Sequence, residues 1–350
     1  MLTTNLGFPN VYGSHIKRAV EGFWREEKSI EDVVRAYERV LAFNEGAQAA
    51  LDLQPVFDID IYDRMLRTAT MLGIVPSRFG SADEINKDLR LYLSIPRGTF
   101  YAQASPMVKW FSTNYHVVQP EIEHAQFAPY PQHLPPVPNG KKLALIGPWT
   151  LLCYSINKTA YTREELFMHL ADAYAALLSA KQPMIVQLEE PSFLTHGIPM
   201  GYDAFLRKVG HTVHLHTYFG HAASIADILL RLPVSGIGLD FVDGARNLEL
   251  LAGFPSDKTL IAGIVNGRNV WPISSRTEQL LNEILCVIDE QSLYISPSCS
   301  LSHVPISAKG EQRAFSFATE KISELDLIKH HRAHYVDSPK QSFAMPGEGF

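Results

Sequence analysis

Val213-His214-Leu215-His216-Thr217-Tyr218-Phe219-Gly220 is a short apolar run with period-two alternation, the pattern of a buried strand. Alternation places His214, His216 and Tyr218 on one face. Two imidazoles and a phenol stand there where a packing strand would carry apolar side chains. A lone histidine in such a run is commonly a satisfied core residue. A metal or catalytic site needs partners from elsewhere in the chain.

Seven more apolar runs of similar length flank this one, at residues 3–8, 51–57, 143–146, 184–188, 236–239, 260–264 and 293–296. Helical periodicity fills the intervals at 15–25, 30–47, 61–72, 162–180 with Thr162 as N-cap, 222–232, from 247, at 276–288 and at 311–332. Residues 74–105 read as irregular. Residues 119–141, with six prolines, read as a long surface connection. Strands alternating with helices predict an α/β protein with a parallel sheet, and eight strands predict closure into a single-domain (β/α)8 TIM barrel. The expected barrel spans residues 1–332 and includes N-terminal helical segments, with a loose tail at 333–350. An open dinucleotide-binding sheet is the competitor, but no Gly-x-Gly-x-x-Gly follows any strand.

Composition narrows the function. The chain has 350 residues, a formal net charge of -6 and 46% hydrophobic content, the profile of an ordinary globular protein. It lacks a Lys/Arg run long enough to follow a phosphate backbone, so no nucleic-acid partner is expected. Cys153, Cys286 and Cys299 form no CxxC pair, which points to a reducing, cytoplasmic setting rather than a disulfide framework. Neither a basic-apolar leader nor an apolar run of about 18 residues is present, so no membrane span is expected.

In such a barrel, chemistry sits at the C-terminal strand ends. Those ends carry Gly7-Phe8-Pro9, Asp58, Gly147-Pro148, Glu189-Glu190, His216 with Tyr218, Asp240, Asn266 and Cys299. His216, Asp240 and Cys299 make a three-ligand set for zinc with an open fourth position, the thiolate favouring zinc over harder cations. His214, His216 and Asp240 make the competing set for non-haem iron. Cys299 also reads as a small buried hydrophobe, and Asp240 as a helix cap. Of Glu189 and Glu190 only one can face the barrel axis, where it would bind a substrate ammonium or act as a base. Asp58 has the same two readings, catalytic or structural. His116 lies on a segment that could cover the barrel mouth, and Lys17, Arg18 and Lys109 read as surface charges.

Taken in order, Leu6-Gly7-Phe8-Pro9, Lys109-Trp110-Phe111-x-Thr113-Asn114-Tyr115-His116, Gly147-Pro148, Gln187-x-x-Glu190-Pro191, Thr217-Tyr218-Phe219, Gly263-x-x-Asn266-Gly267-Arg268-Asn269-Val270-Trp271 and Pro297-Ser298-Cys299-Ser300-Leu301 resemble the N-terminal barrel of cobalamin-independent methionine synthase, from about residue 5 to 330. In that family the C-terminal barrel carries zinc, homocysteine and the methyl transfer from methyl-tetrahydrofolate. The N-terminal barrel is a metal-free duplicate that touches the folate tail. Carried over from the zinc barrel, the ligand positions fall on His216, Tyr218, Asp240 and Cys299. His216 replaces the threonine usual in N-terminal barrels. In the stretch that touches folate, here Ser14-His15-Ile16-Lys17, only Lys17 is kept, while Lys109, the other matching folate-tail lysine, is also present; the altered stretch counts against methyl-tetrahydrofolate as a ligand.

The resemblance implies a methyl- or alkyltransferase acting on a thiol or thioether amino acid. Zinc would be held by His216, Asp240 and Cys299, and would present the substrate thiolate for transfer. Asp58, Glu189, His116 and Tyr218 are the candidate catalytic residues. Phe8, Lys17, Lys109, Asn266 and Ser298 are the candidate substrate contacts. The rivals are a non-catalytic barrel that partners a separately encoded zinc barrel, and an iron enzyme built on His214, His216 and Asp240. A homo-oligomer is compatible with each.

Overall fold

Eight short strands form the centre of the computed structural model, which describes residues 1–10 and 15–331. They are β1 (Leu2–Thr3), β2 (Gln54–Val56), β3 (Lys141–Ile146), β4 (Ile185–Glu189), β5 (Thr212–His216), β6 (Gly236–Asp240), β7 (Thr259–Val265) and β8 (Leu293–Pro297). The sheet order is β1-β8-β7-β6-β5-β4-β3-β2, and every pairing is parallel. Its two edges meet. Thr4 bridges Leu53 in parallel, and the Leu53 N–H donates to the Thr3 carbonyl at 3.1 Å. The sheet is a closed (β/α)8 barrel, as the strand count predicts.

The first strand is shorter than residues 3–8. Past Thr4 the chain is held by side chains: Asn5 Nδ2 donates to Gln48 Oε1 at 3.0 Å, and the Phe8 N–H donates to Asp58 Oδ2 at 2.8 Å. These bonds bring Phe8 to the mouth of the barrel.

Helix starts follow local chemistry. Ser29 caps Ile30–Ala47 and Thr162 caps Arg163–Ser179, each in a reciprocal capping box, with Asp32 and Glu165 respectively. Residues 74–105 are not irregular, contrary to expectation. Ser81 and Glu84 form a capping box that starts Ala82–Lys87, and Asp88 caps Leu89–Arg97. Residues 222–232 hold only a 3-10 turn and the one-turn helix Ala226–Leu229, residues 245–253 are 3-10, and the last helix is Ala318–His331. The expected tail at 333–350 and Ser14 lie outside the described residues.

Two apolar cores result. One surrounds the barrel, and the other joins the N-terminal helices to Leu66, Tyr92 and Leu93. Over the mouth lies an antiparallel ribbon, Met107–Lys109 with His116–Val118. No helix among the described residues is long and apolar enough to cross a membrane.

Candidate functional site

Glu189 ends β4 with its side chain turned into the barrel and 1% of its surface exposed. Three donors converge on its carboxylate. Arg64 Nη2 at 2.7 Å and Gln187 Nε2 at 2.8 Å reach Oε1, and the Tyr218 hydroxyl reaches Oε2 at 2.8 Å. Glu190 points the opposite way, as strand alternation requires. Its carboxylate takes the N–H groups of Trp149 and Thr150 and the hydroxyls of Thr150 and Tyr202, pinning the start of helix Pro148–Tyr154. A Cβ on Gly147 would sit 2.3 Å from that carboxylate, so only glycine fits there. Glu189 therefore belongs to the site, and Glu190 to its frame.

A cleft opens above Glu189, between the β2, β4 and β8 loops and the ribbon. Phe8, Met65, Trp110, Tyr115 and Ile146 supply its apolar walls, and Asp58, Arg64, Glu189, Tyr218 and His303 its polar groups. Asp58 is buried, and its carboxyl is pushed up to about 6, chiefly by desolvation and against the pull of Arg64 and the Phe8 N–H. His303 is pushed down to about 4 by burial, and its Nδ1 has no partner within the protein. Two rim residues are strained. Phe57, just before Asp58, and Phe219, just after Tyr218, have φ of 66° and 72°, a region that costs a bulky residue about 1–3 kcal/mol and recurs at functional sites. Arg268 stacks over Phe219 at 5.0 Å and pairs with Asp243 at 2.8 Å.

The raised Asp58 carboxyl yields a stability prediction. The folded state holds this proton more tightly than the unfolded chain. The stabilisation is present below the ordinary value of 3.8 and is lost as pH rises through about 6. Asp58→Asn keeps an acceptor for the Phe8 N–H and removes the charge. It should stabilise the protein at pH 8 by up to about 3 kcal/mol and leave it unchanged near pH 3. Urea titrations at the two pH values check this; equal midpoints for variant and parent at pH 8 would refute it.

The proposed metal ligands do not converge. Among the described residues no group of three or more His, Cys, Asp or Glu side chains is placed to hold a metal ion. Asp240 is already used, accepting the N–H groups of Phe219, Val242 and Asp243 at 2.8–3.0 Å. Cys299 is fully buried beside Gly267, and burial holds its thiol well above the ordinary range. Tyr218 is bonded to Glu189. His216 lies deeper than the mouth, paired in register with Glu189 and set against Gly238. The zinc set and the iron set are both corrected on these grounds. The residues present do not fit the metal.

The other expected contacts divide. Phe8 lines the cleft. His116 and Lys17 are exposed and face a separate groove against Trp24 and Tyr62, where Lys17 lies 3.8 Å from Glu21. Lys109 is exposed on the ribbon. Asn266 Oδ1 caps the N–H groups of Arg268 and Asn269, and Ser298 Oγ accepts from the Gly267 N–H at 3.2 Å, so both shape the loop after β7. Arg64 and His303 were not foreseen. Arg64 carried one signal: a cation in the first turn of a helix opposes the helix dipole and calls for a carboxylate partner.

Below the cleft the barrel interior is unusually polar. Such interiors are ordinarily packed with branched apolar side chains. Here Lys142, Gln187, His214 and His216 are each at most 4% exposed. Gln187 Nε2 reaches across the interior to the Leu6 carbonyl at 2.8 Å, and the His214 ring lies 5.8 Å from that of Tyr294 on β8. Gly236 and Gly238 make the room: a Cβ on either would fall 2.9 Å or 2.1 Å from the His214 or His216 ring. Lys142 Nζ, Gln187 Oε1, His214 Nδ1 and His216 Nε2 have no hydrogen-bond partner among the described residues. Each such atom costs about 1–3 kcal/mol when left unpaired. Together that rivals the whole stability of a domain, about 5–15 kcal/mol.

With this geometry in place, comparison adds kinship. Residues 2–287 match the family model described as cobalamin-independent synthase, N-terminal domain. A 5-methyltetrahydropteroyltriglutamate–homocysteine methyltransferase from Halalkalibacterium halodurans is 33% identical over 365 residues, covering 94% of this chain and 48% of its own length. The protein of the same name from Herpetosiphon aurantiacus is 35% identical over 362 residues, covering 93% and 47%. The chain thus spans about half the length of the curated relatives it matches. Among solved structures, a B12-independent methionine synthase from Shewanella sp. W3-18-1, in complex with selenomethionine, superposes with a TM-score of 0.61 at 15% identity, over 94% of this chain and 98% of that one. That likeness concerns the fold.

Proposed function

This chain belongs to the cobalamin-independent methionine synthase family, matching its N-terminal domain, and from that premise we propose that it is a substrate-binding barrel for methionine-synthase-like methyl transfer. The cleft at the barrel mouth takes a thiol or thioether amino acid. The observation that carries this reading is the buried Glu189 carboxylate, held by Arg64, Tyr218 and Gln187, with Asp58 beside it under an aromatic wall. Glu189 and Asp58 supply negative charge for an ammonium group, Arg64 supplies a cation for a carboxylate, and Trp110 and Tyr115 give an apolar bed for the side chain. The bound selenomethionine of the Shewanella structure is of the same chemical class.

Because the zinc ligand set does not assemble in this chain, no step is assigned to a metal held here. In this reading the thiolate-activating centre is supplied by a separate zinc barrel. A second reading, in which the chain transfers a methyl group alone, is favoured by one observation: the Shewanella chain, named as a methionine synthase, is matched over 98% of its length by this single barrel.

Transfer of the methyl group of 5-methyltetrahydropteroyltriglutamate to homocysteine, followed with the purified chain and with an added zinc barrel from a two-barrel relative, separates the two. The first reading expects product only in the mixture, together with calorimetric binding of methionine to this chain. Turnover by the chain alone would replace the first reading with the second. Absence of binding by homocysteine and methionine would remove both. Asp58 must be ionised to hold an ammonium group, so methionine affinity should strengthen as pH rises through about 6.

A further inference from the structure

We propose that the barrel interior contains a fixed water site, built by Lys142 and Gln187 and walled by His214 and His216, that links the Lys142 amine through Gln187 to the cleft carboxylate Glu189. Four polar atoms carried on three adjacent strands lack partners there among the described residues: Lys142 Nζ, Gln187 Oε1, His214 Nδ1 and His216 Nε2. Register brings them to one face, since Gln187 pairs with His214 and Glu189 with His216, and Lys142 enters two residues below the Gln187 level on β3, opposite Ile185. The Lys142 charge helps hold both imidazoles down, and the carboxylates of Glu189 and Asp58 pull its own amine up against the larger effect of desolvation. Gly236 and Gly238 leave the two rings their space.

The donor set selects the occupant. As an ammonium, Lys142 Nζ can only donate, whereas Gln187 Oε1 can only accept. The Gln187 amide orientation is fixed by its two Nε2 bonds, to the Leu6 carbonyl and to Glu189 Oε1. An anion at Lys142 would face that carbonyl oxygen, and a cation would face the amine. Water accepts from one and donates to the other, and enclosed polar sites of this kind hold water. The resulting chain runs from Lys142 Nζ to water, from water to Gln187 Oε1, and from Gln187 Nε2 to Glu189 Oε1. Every link donates toward the carboxylate, so each polarises the next. Burial also holds the Lys142 amine down to about 7 and the His214 ring to about 3, which keeps the imidazole neutral. Lys142 is then a positioning residue for Glu189, acting through solvent and never touching the substrate.

The site is read directly, with no reliance on activity or on the functional proposal. A high-resolution crystal structure of the protein grown with bromide in place of chloride is the first arm. A water within hydrogen-bonding reach of both Lys142 Nζ and Gln187 Oε1 is expected. Absence of density there, or an anomalous bromide peak, overturns the proposal. The second arm is water-oxygen magnetic relaxation dispersion on the parent and on Lys142→Met. The variant should lose the amplitude of at least one long-lived internal water, and unchanged amplitude overturns the proposal. Should Lys142→Met fail to fold, the parent crystal structure decides alone.

Discussion

Glu189→Gln should lower the melting temperature by about 6–20 °C and abolish amino-acid binding in the cleft. The carboxylate is the counter-ion of Arg64 and the shared acceptor of Gln187 and Tyr218. An amide keeps one acceptor oxygen and turns an NH2 group toward a neighbour that is itself a donor. Arg64, whose side chain is 17% exposed, then loses its hydrogen-bonded counter-ion and keeps the weaker pull of Asp58. Removing one partner of a buried pair costs about 3–5 kcal/mol, because the other charge is left uncompensated, and each kcal/mol moves the midpoint of a large domain by about 2–4 °C. Arg64→Met should cost a similar amount for the mirror-image reason. The double variant should cost less than the sum, with a coupling of about 1–3 kcal/mol. Thermal melts of the four proteins and methionine calorimetry check this. A shift below about 2 °C for both single variants would mean that the Arg64–Glu189 pair does not organise the cleft.

The strands were legible because each is a short apolar run bounded by turn residues, and a closed parallel barrel buries both faces of all eight. Strand-end logic likewise led to Asp58, Glu189, Tyr218 and Phe8, which line one cleft. Pairing across the barrel was not legible. Arg64 reads as an ordinary surface cation in sequence, and only the closure of β2 onto the barrel brings it to Glu189. His303 sits beyond the last strand-end motif, in a loop whose path no periodicity fixes. The helices at 82–97 were readable, since Ser81-x-x-Glu84 is a capping box, but both are short and the second carries Pro96. The metal sets failed for a more instructive reason. Alternation correctly puts His214 and His216 on one face, yet a shared face says nothing about depth along the barrel axis. The cue lay on the neighbouring strand, where Gly236-x-Gly238 in register with His214 and His216 marks imidazoles that need room inside the barrel.

That cue supports a sharp test of what His216 does. Gly238→Ala should destabilise the protein by about 3 kcal/mol or more, because the new methyl would lie 2.1 Å from His216 Nδ1 and 2.7 Å from two ring carbons. All five residues of β6 are buried, so neither the strand nor the ring has space to retreat, and overpacking of this kind ordinarily costs about 1–3 kcal/mol and sometimes more. His216→Ala alone should cost less than a usual core truncation, since it also removes the unpartnered Nε2. Combined with Gly238→Ala, it frees the volume the new methyl needs, so the double variant should recover most of the loss, with a favourable coupling of about 2 kcal/mol. A metal ligand would behave otherwise. Loss of His216 would then weaken the protein whatever occupied position 238, and the two effects would add. Urea midpoints for the four proteins, measured in chelator and again in added zinc, separate the cases. Strict additivity, or a zinc-dependent rise in the parent midpoint that His216→Ala eliminates, would return His216 to the metal site that the geometry denies it.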